Sequence, residues 1–223
     1  MEHAGSMVID VVSDMVCPWC FIGKRRLEAA LEHLATTSDA RPVVRWHPFE
    51  LNPDLPSEGV DRRTYLERKF GGPERAAGIY QRVRHAGAAA GIDFHFDRIA
   101  RQPNTRDAHR LVHWVQQQGD DASALVERLF SAYFVEGRSL VGHDALTAIA
   151  AESGIDADAA RALLASDALR QEVAEAERRA HEIGVGGVPF FIFAGKVAVS
   201  GAQSTEVMLQ AIDKARTMPA ESS

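Results

Sequence analysis

Apolar positions gather in short strand-like runs near the two ends of the chain and in helix-spaced stripes between them. The run Met7-Val8-Ile9-Asp10-Val11-Val12 predicts a first strand, and the amphipathic segment Ile22 to Leu34 predicts the helix that follows it. Val43 to Phe49, set off by the Ser38-Asp39 loop and Pro42, predicts a second strand. Strand, helix and strand in so short a span make a βαβ unit, whose two strands should run parallel. Near the far end, Pro189 to Phe193 and Lys196 to Val199 flank Ala194-Gly195 as a β-hairpin. A last helix follows Gly201, with Ser204 as its N-cap, Glu206 in its first turn, and Met208, Ile212 and Ala215 on one buried face.

The intervening region reads almost wholly as helix. Leu111, Trp114 and Val115 share a face after the start signal Asn104-Thr105, and Leu125, Leu129, Phe130 and Phe134 form a second stripe. Ala145 to Ala151, Ala157 to Leu164 and Leu169 to Ile183 give three more helical patterns, separated by Gly154 and by Ser166-Asp167. Asn52 to Gly59 and Gly71-Gly72-Pro73 punctuate the entry to this region, and the chain holds no internal repeat or low-complexity tract.

With 223 residues, 46% hydrophobic and 25% charged, the composition is that of a globule large enough to bury a sizeable core. A net charge of −6 argues against a nucleic-acid partner, and Arg62-Arg63 and Arg82/Arg84 read as solvated helix faces. Met1 to Met7 lacks a basic segment, the apolar run after it is too short for a secretion signal, and no stretch approaches the ~20 apolar residues of a membrane span. The expectation is a cytoplasmic protein with no membrane partner.

The chemistry concentrates in Cys17-Pro18-Trp19-Cys20, which holds both cysteines of the chain at the strand-to-helix junction. There the first sulfur meets the unpaired N–H groups of a helix start, whose field favours the thiolate, the form that attacks disulfides. Pro18 suits the first helical turn, since its φ is already helical and the N–H it lacks would go unpaired. A structural zinc site needs four ligands and finds no second cysteine pair, although nine histidines keep a metal- or partner-binding module as an alternative. Haem attachment would require histidine where Phe21 stands. In a reducing compartment a lone Cys-x-x-Cys is catalytic more often than structural. Asp14 reads as a solvated loop carboxylate, and His47 and His109 as surface or satisfied core groups.

Together with Trp46 to Pro53 and Gly187-Val188-Pro189-Phe190-Phe191, the motif resembles the DsbA-like thioredoxin superfamily, closest to its FrnE-like dithiol–disulfide oxidoreductase branch. The resemblance implies an α/β thioredoxin fold interrupted by a large all-helical inserted domain: 7–55 and 181–217 as the two halves of the fold, and 60–180 as the insertion. It implies Cys17 as an exposed nucleophile and Cys20 as the resolving thiol. It also implies Pro18, Trp19, Val188 and Pro189 as substrate contacts, Val188-Pro189 being a cis peptide whose backbone pairs with an extended substrate. The Cys17–Cys20 disulfide would be the redox centre, with no metal and no other cofactor. Substrates would be disulfide-containing proteins or small-molecule thiols, glutathione among them as a co-substrate, with a homodimer left open. Trp19 departs from DsbA itself, which is similar but carries histidine there, so this site should be less strongly oxidising. Asn104 to His109 resembles a segment lining the cleft of glutathione-dependent relatives, against a plain N-cap at Asn104. Those relatives, 2-hydroxychromene-2-carboxylate isomerase and kappa-class glutathione transferase, open the motif with serine and supply the alternative function.

Overall fold

The computed structural model describes residues 7–37 and 41–219; the Ser38-Asp39 loop and Met1 to Ser6 lie outside the described residues. The first unit is β1 (Val8–Ser13), α1 (Pro18–Thr37) and β2 (Val43–Pro48). Its strands are parallel, Val8 standing opposite Val43 and Ser13 opposite Pro48, and Pro18 takes the first helical position. A two-residue strand β3 (Val60–Asp61) leads into α2 (Arg62–Phe70) and α3 (Pro73–Ala88). A 3-10 turn (Phe96–Arg98) and β4 (Arg101–Gln102) come next. Five helices then run α4 (Arg106–Gln117), α5 (Ser123–Phe134), α6 (His143–Glu152), α7 (Ala157–Ala165) and α8 (Arg170–Glu182). The hairpin β5 (Phe190–Phe193) and β6 (Val197–Ser200) and the helix α9 (Thr205–Thr217) close the chain.

The main sheet has the order β2-β1-β5-β6, with β5 antiparallel to both β1 and β6. This is the mixed α/β sheet expected of a thioredoxin fold. Alternation along the strands sorts the core into two layers. Ile9, Val11, Phe191 and Phe193 join Leu27 and Ala30 of α1 and Met208 and Ile212 of α9 in one cluster. Val12 turns the other way and meets Phe49, Ala180 and Val185, where α8 covers the sheet. Ser204 caps α9 as expected, its side chain accepting from Val207 N–H.

Phe21, directly after the motif, ties α1 to the helices that follow β2. Its ring is fully buried, stacks on Phe130 of α5 with centroids 5.1 Å apart, and meets Phe94 edge-on at 6.1 Å. Edge strand β2 is finished by a side chain: Gln116 of α4 accepts from Trp46 N–H (2.7 Å) and donates to Trp46 C=O (2.9 Å). That amide occupies backbone groups which would otherwise template a further strand.

The intervening region is not wholly helical, because β3 and β4 pair Val60 with Gln102 and Asp61 with Arg101. Arg62, expected on a solvated face, is 8% exposed, whereas Arg63 stays exposed. The Arg62 guanidinium donates to Gln102 and to the hydroxyls of Tyr80 and Tyr133, and those acceptors hold it inside.

Candidate active site

The loop from β1 to α1 delivers both sulfurs to the head of the helix. Cys17 N–H donates to Asp14 C=O (3.0 Å), and Cys17 C=O accepts from Cys20 N–H (3.0 Å) and Phe21 N–H (3.4 Å), closing the first turn. Both cysteines are free thiols. The expected exposure of Cys17 is corrected: the residue is buried, 5% exposed against 1% for Cys20. The cover comes partly from Val188, whose carbonyl oxygen accepts from the Cys17 thiol at 3.7 Å across 171 residues of sequence. The Val188-Pro189 peptide is cis. Trp19, between the sulfurs, is 38% exposed and presents its indole to solvent.

Gly23, one turn beyond the motif, lets α1 approach the Pro189 loop. A Cβ there would lie 2.9 Å from the Phe191 ring and 3.0 Å from Pro189 Cγ. Phe191 is fully buried and has no room to yield. Gly23→Ala should therefore cost about 1–3 kcal/mol of stability, as overpacking does. It should also slow disulfide exchange by pushing Pro189 and Val188 away from Cys17. Urea midpoints and exchange rates check this; unchanged values in both would show that the helix absorbs the methyl group.

Burial raises the Cys20 thiol well above its ordinary range, and the neighbouring Cys17 sulfur adds to the effect. The Asp14 backbone N–H and the Ser13 hydroxyl, which face the same sulfur, pull more weakly the other way. Cys20 is therefore held as a protonated thiol, one helical turn behind the sulfur that reaches the surface.

Asp14, expected as a solvated carboxylate, is fully buried. Its Oδ2 accepts from Leu51 N–H at 2.7 Å and its Oδ1 from Val16 N–H at 3.4 Å, and these donors replace water. Its Oδ1 lies 3.6 Å from Nε2 of His109, which is also buried. Next to them Glu50 is held by Arg106 Nε at 2.9 Å. Burial pushes the Glu50 carboxyl above the usual carboxylate range, while His109 and Arg106 oppose the shift. The start of α4 thus reaches Glu50 through Arg106 and the buried Asp14 carboxylate through His109. Asn104 is not the formal N-cap, a position held by Thr105, yet its Oδ1 accepts from Arg106 N–H (3.0 Å). Its Nδ2 also donates to the Pro53 and Leu55 carbonyls, tying the loop after β2 to α4. Leu51, 37% exposed, is an apolar surface residue that sequence reasoning did not single out.

His47 belongs elsewhere: its Nε2 is 2.7 Å from Asp10 Oδ1 on the sheet. Both line a concavity of about 1910 Å³ that neither Cys17 nor Cys20 borders. Among the described residues, no group of three or more His, Cys, Asp or Glu could hold a metal ion, and no helix is long and apolar enough to cross a membrane.

Comparison with known proteins matches residues 8–213 to the model of the DSBA-like thioredoxin domain. A solved structure described as a probable DsbA oxidoreductase from Streptomyces coelicolor is 32% identical with a TM-score of 0.86, covering 97% of this chain and 93% of that one. The uncharacterized protein YwbO of Bacillus subtilis is 28% identical over 207 residues, which is 92% of this chain and 94% of YwbO. The cytosolic disulfide reductase DsbM of Pseudomonas aeruginosa, solved with glutathione, shares the fold at 20% identity and a TM-score of 0.62, covering 94% of this chain and 95% of that one.

Proposed function

The chain belongs to the DSBA-like thioredoxin domain family, and from that premise we propose that it catalyses thiol–disulfide exchange through Cys17 and Cys20. One observation carries the reading: the Cys17 sulfur sits at the head of α1 against the Val188 carbonyl, with the protonated Cys20 thiol one turn behind. Cys17 attacks one sulfur of a substrate disulfide, breaking that S–S bond, forming a mixed disulfide and expelling the other sulfur as the first substrate thiol. Cys20 then attacks the Cys17 sulfur, releases the substrate thiol and leaves the Cys17–Cys20 disulfide. Pro18 and Trp19, between the cysteines, and Val188 and Pro189, the cis pair whose Val188 carbonyl accepts from the Cys17 thiol, are the residues we assign to substrate contact, Val188 through its backbone.

The reading includes disulfide-bearing proteins and small-molecule thiols as substrates, with glutathione as a co-substrate by analogy with DsbM. It places the protein in the cytosol, where a lone Cys-x-x-Cys serves catalysis. It takes residues 60–180 as a cap that shapes the cleft and selects substrates, supported by the contact of His109 with Asp14, the residue whose C=O accepts from Cys17 N–H.

The test is reduction of insulin disulfides by dithiothreitol, with and without glutathione, for the native chain and for Cys17→Ser. The native chain should accelerate the reaction and Cys17→Ser should fall to the uncatalysed rate. Catalysis that survives Cys17→Ser and requires glutathione would instead favour a glutathione-dependent isomerase or transferase.

A further inference from the structure

Three cationic side chains other than His109 are buried among the described residues, Lys24, Arg62 and Arg110, and they differ in what neutralises them. Lys24 has Glu28 and Glu127, and Arg110 has Asp107. Arg62 meets only neutral groups: Nη1 donates to the Gln102 amide oxygen and to the Tyr133 hydroxyl (3.2 Å), and Nη2 to the Tyr80 hydroxyl (2.5 Å). Burial holds both phenols above their ordinary range, so they stay uncharged. The Tyr80 and Tyr65 rings, 5.5 and 5.9 Å from the guanidinium carbon, give the charge only weak compensation. Nε is buried without a partner. The donors left over therefore belong to Nε and Nη2, which form one edge of the guanidinium, an edge that a carboxylate meets with both oxygens.

Arg62 also lines a cavity of about 350 Å³ between the start of α2 and the 3-10 turn, and neither cysteine borders it. Leu66, Phe96 and Ile99 supply apolar walls, the last two themselves buried. The two carboxylates at its rim are engaged elsewhere. Asp61 caps α2, accepting from Thr64 N–H (2.9 Å) and from the Thr64 hydroxyl (3.0 Å), and Asp97 lies 3.7 Å from Arg84 Nη2.

We propose that this cavity binds a small amphipathic carboxylate, a short aliphatic or aromatic acid whose carboxylate pairs with Arg62 and whose hydrocarbon part lies against Leu66, Phe96 and Ile99. A buried cation without a counter-charge is costly, and the acid supplies the anion that no side chain provides. The charge selects acids over alcohols of the same shape, and the apolar walls select them over acetate. The site lies in the helical region and does not depend on the exchange reaction proposed above.

The probes are hexanoate and phenylacetate, titrated as sodium salts into isotope-labelled native protein at pH 7, with hexanol, phenylethanol and sodium acetate as controls. The amide resonances of Leu66, Ile99 and Ala100 and the Arg62 Nε–H should shift saturably with both acids, with dissociation constants of about 1 mM. The alcohols should bind about tenfold more weakly, and the acids should raise the melting temperature by mass action. Arg62→Gln should weaken the acids about tenfold while leaving the alcohols unchanged. Leu66→Trp, made at a half-buried position, fills the cavity and should abolish binding of both with the fold retained. An arginine with a purely structural role would give no saturable shift at all. That result, acids and alcohols that bind alike, or acid binding that survives Leu66→Trp, overturns the proposal. If Arg62→Gln does not fold, the preference for acid over alcohol in the native chain and its loss in Leu66→Trp decide.

Discussion

Cys20→Ser should convert the protein from a catalyst into a trap, accumulating mixed disulfides through Cys17. Replacing the buried sulfur leaves the attacking one in place, at the head of α1 and beside the Val188 carbonyl. The second step then lacks its nucleophile, and release depends on an outside thiol reaching Cys17, a residue only 5% exposed. Adducts should appear by mass spectrometry in Cys20→Ser and be absent from Cys17→Ser. Comparable yields through Cys20 in the Cys17→Ser protein would reverse the two roles. The raised Cys20 thiol adds a pH dependence whose sign is fixed. An unfolded thiol ionises near ~8.5, while the folded Cys20 keeps its proton to higher pH. The stability of the reduced protein is therefore complete below about pH 8.5 and is lost as pH rises toward the folded value, where the unfolded chain releases a proton that the folded chain retains. Urea midpoints of the reduced protein should fall between pH 7 and pH 10, and more steeply than those of reduced Cys20→Ser. Parallel curves would mean that burial of Cys20 is not the cause.

The elements that the sequence made legible are those whose signal is local. Runs such as Val8 to Val12 and stripes such as Leu125, Leu129, Phe130 and Phe134 declare their period within a few residues, and all of them except the partly exposed Val8 and Asp10 are buried. The strands β3 and β4 have two residues each, too few to show any period, so the region containing them reads as helix. The motif was equally plain, since four consecutive residues and a helix start carry its meaning. Its supporting cast was not. Asp14 and Arg62 are charged residues that sequence alone assigns to solvent, because the partners that permit burial come from distant segments. Leu51 and His109 surround the first, and Tyr80, Gln102 and Tyr133 the second. Strand parity held one usable clue to the histidines. Trp46 faces the core, so His47, its neighbour on β2, must point to the other face and away from the helix carrying the motif. For His109, on α4, the one local signal was the resemblance of Asn104 to His109 to a cleft-lining segment, which did not reveal its partners Asp14 and Phe49.

Arg110→Met should destabilise the protein by about 3–5 kcal/mol, the range for removing one member of a buried ionic network. Arg110 has no solvent exposure, and its five N–H groups meet five acceptors. Nε donates to Ala168 C=O (2.8 Å), Nη1 to Asp107 Oδ1 (2.8 Å) and Leu164 C=O (3.5 Å), and Nη2 to Leu163 C=O (2.8 Å) and Ser166 C=O (2.6 Å). Four of these are backbone carbonyls at the end of α7 and in the turn toward α8, where helical N–H donors run out; of the four, Leu163 C=O also accepts from Ser166 N–H (3.1 Å) and Oγ (2.7 Å). A cation there also opposes the negative end of the α7 dipole. Methionine fills much of the space but removes the guanidinium from the Leu164, Ser166 and Ala168 carbonyls and from Asp107, and lysine, with three donors on a flexible stem, recovers only part of the loss. With total stabilities of about 5–15 kcal/mol, the change takes a large share of the margin, and at roughly 2–4 °C per kcal/mol for a chain of this size it should be plain in a melting curve. A loss below about 1 kcal/mol would mean that water satisfies the α7 carbonyls as well as the guanidinium does. Arg110 follows His109 directly on α4, and the ~100° between neighbouring helical residues points one toward Asp14 and the other toward α7. A loosened α7 end should therefore also disturb the histidine behind the thiols, so the exchange rate of Arg110→Met, measured well below its melting temperature, should fall together with its stability.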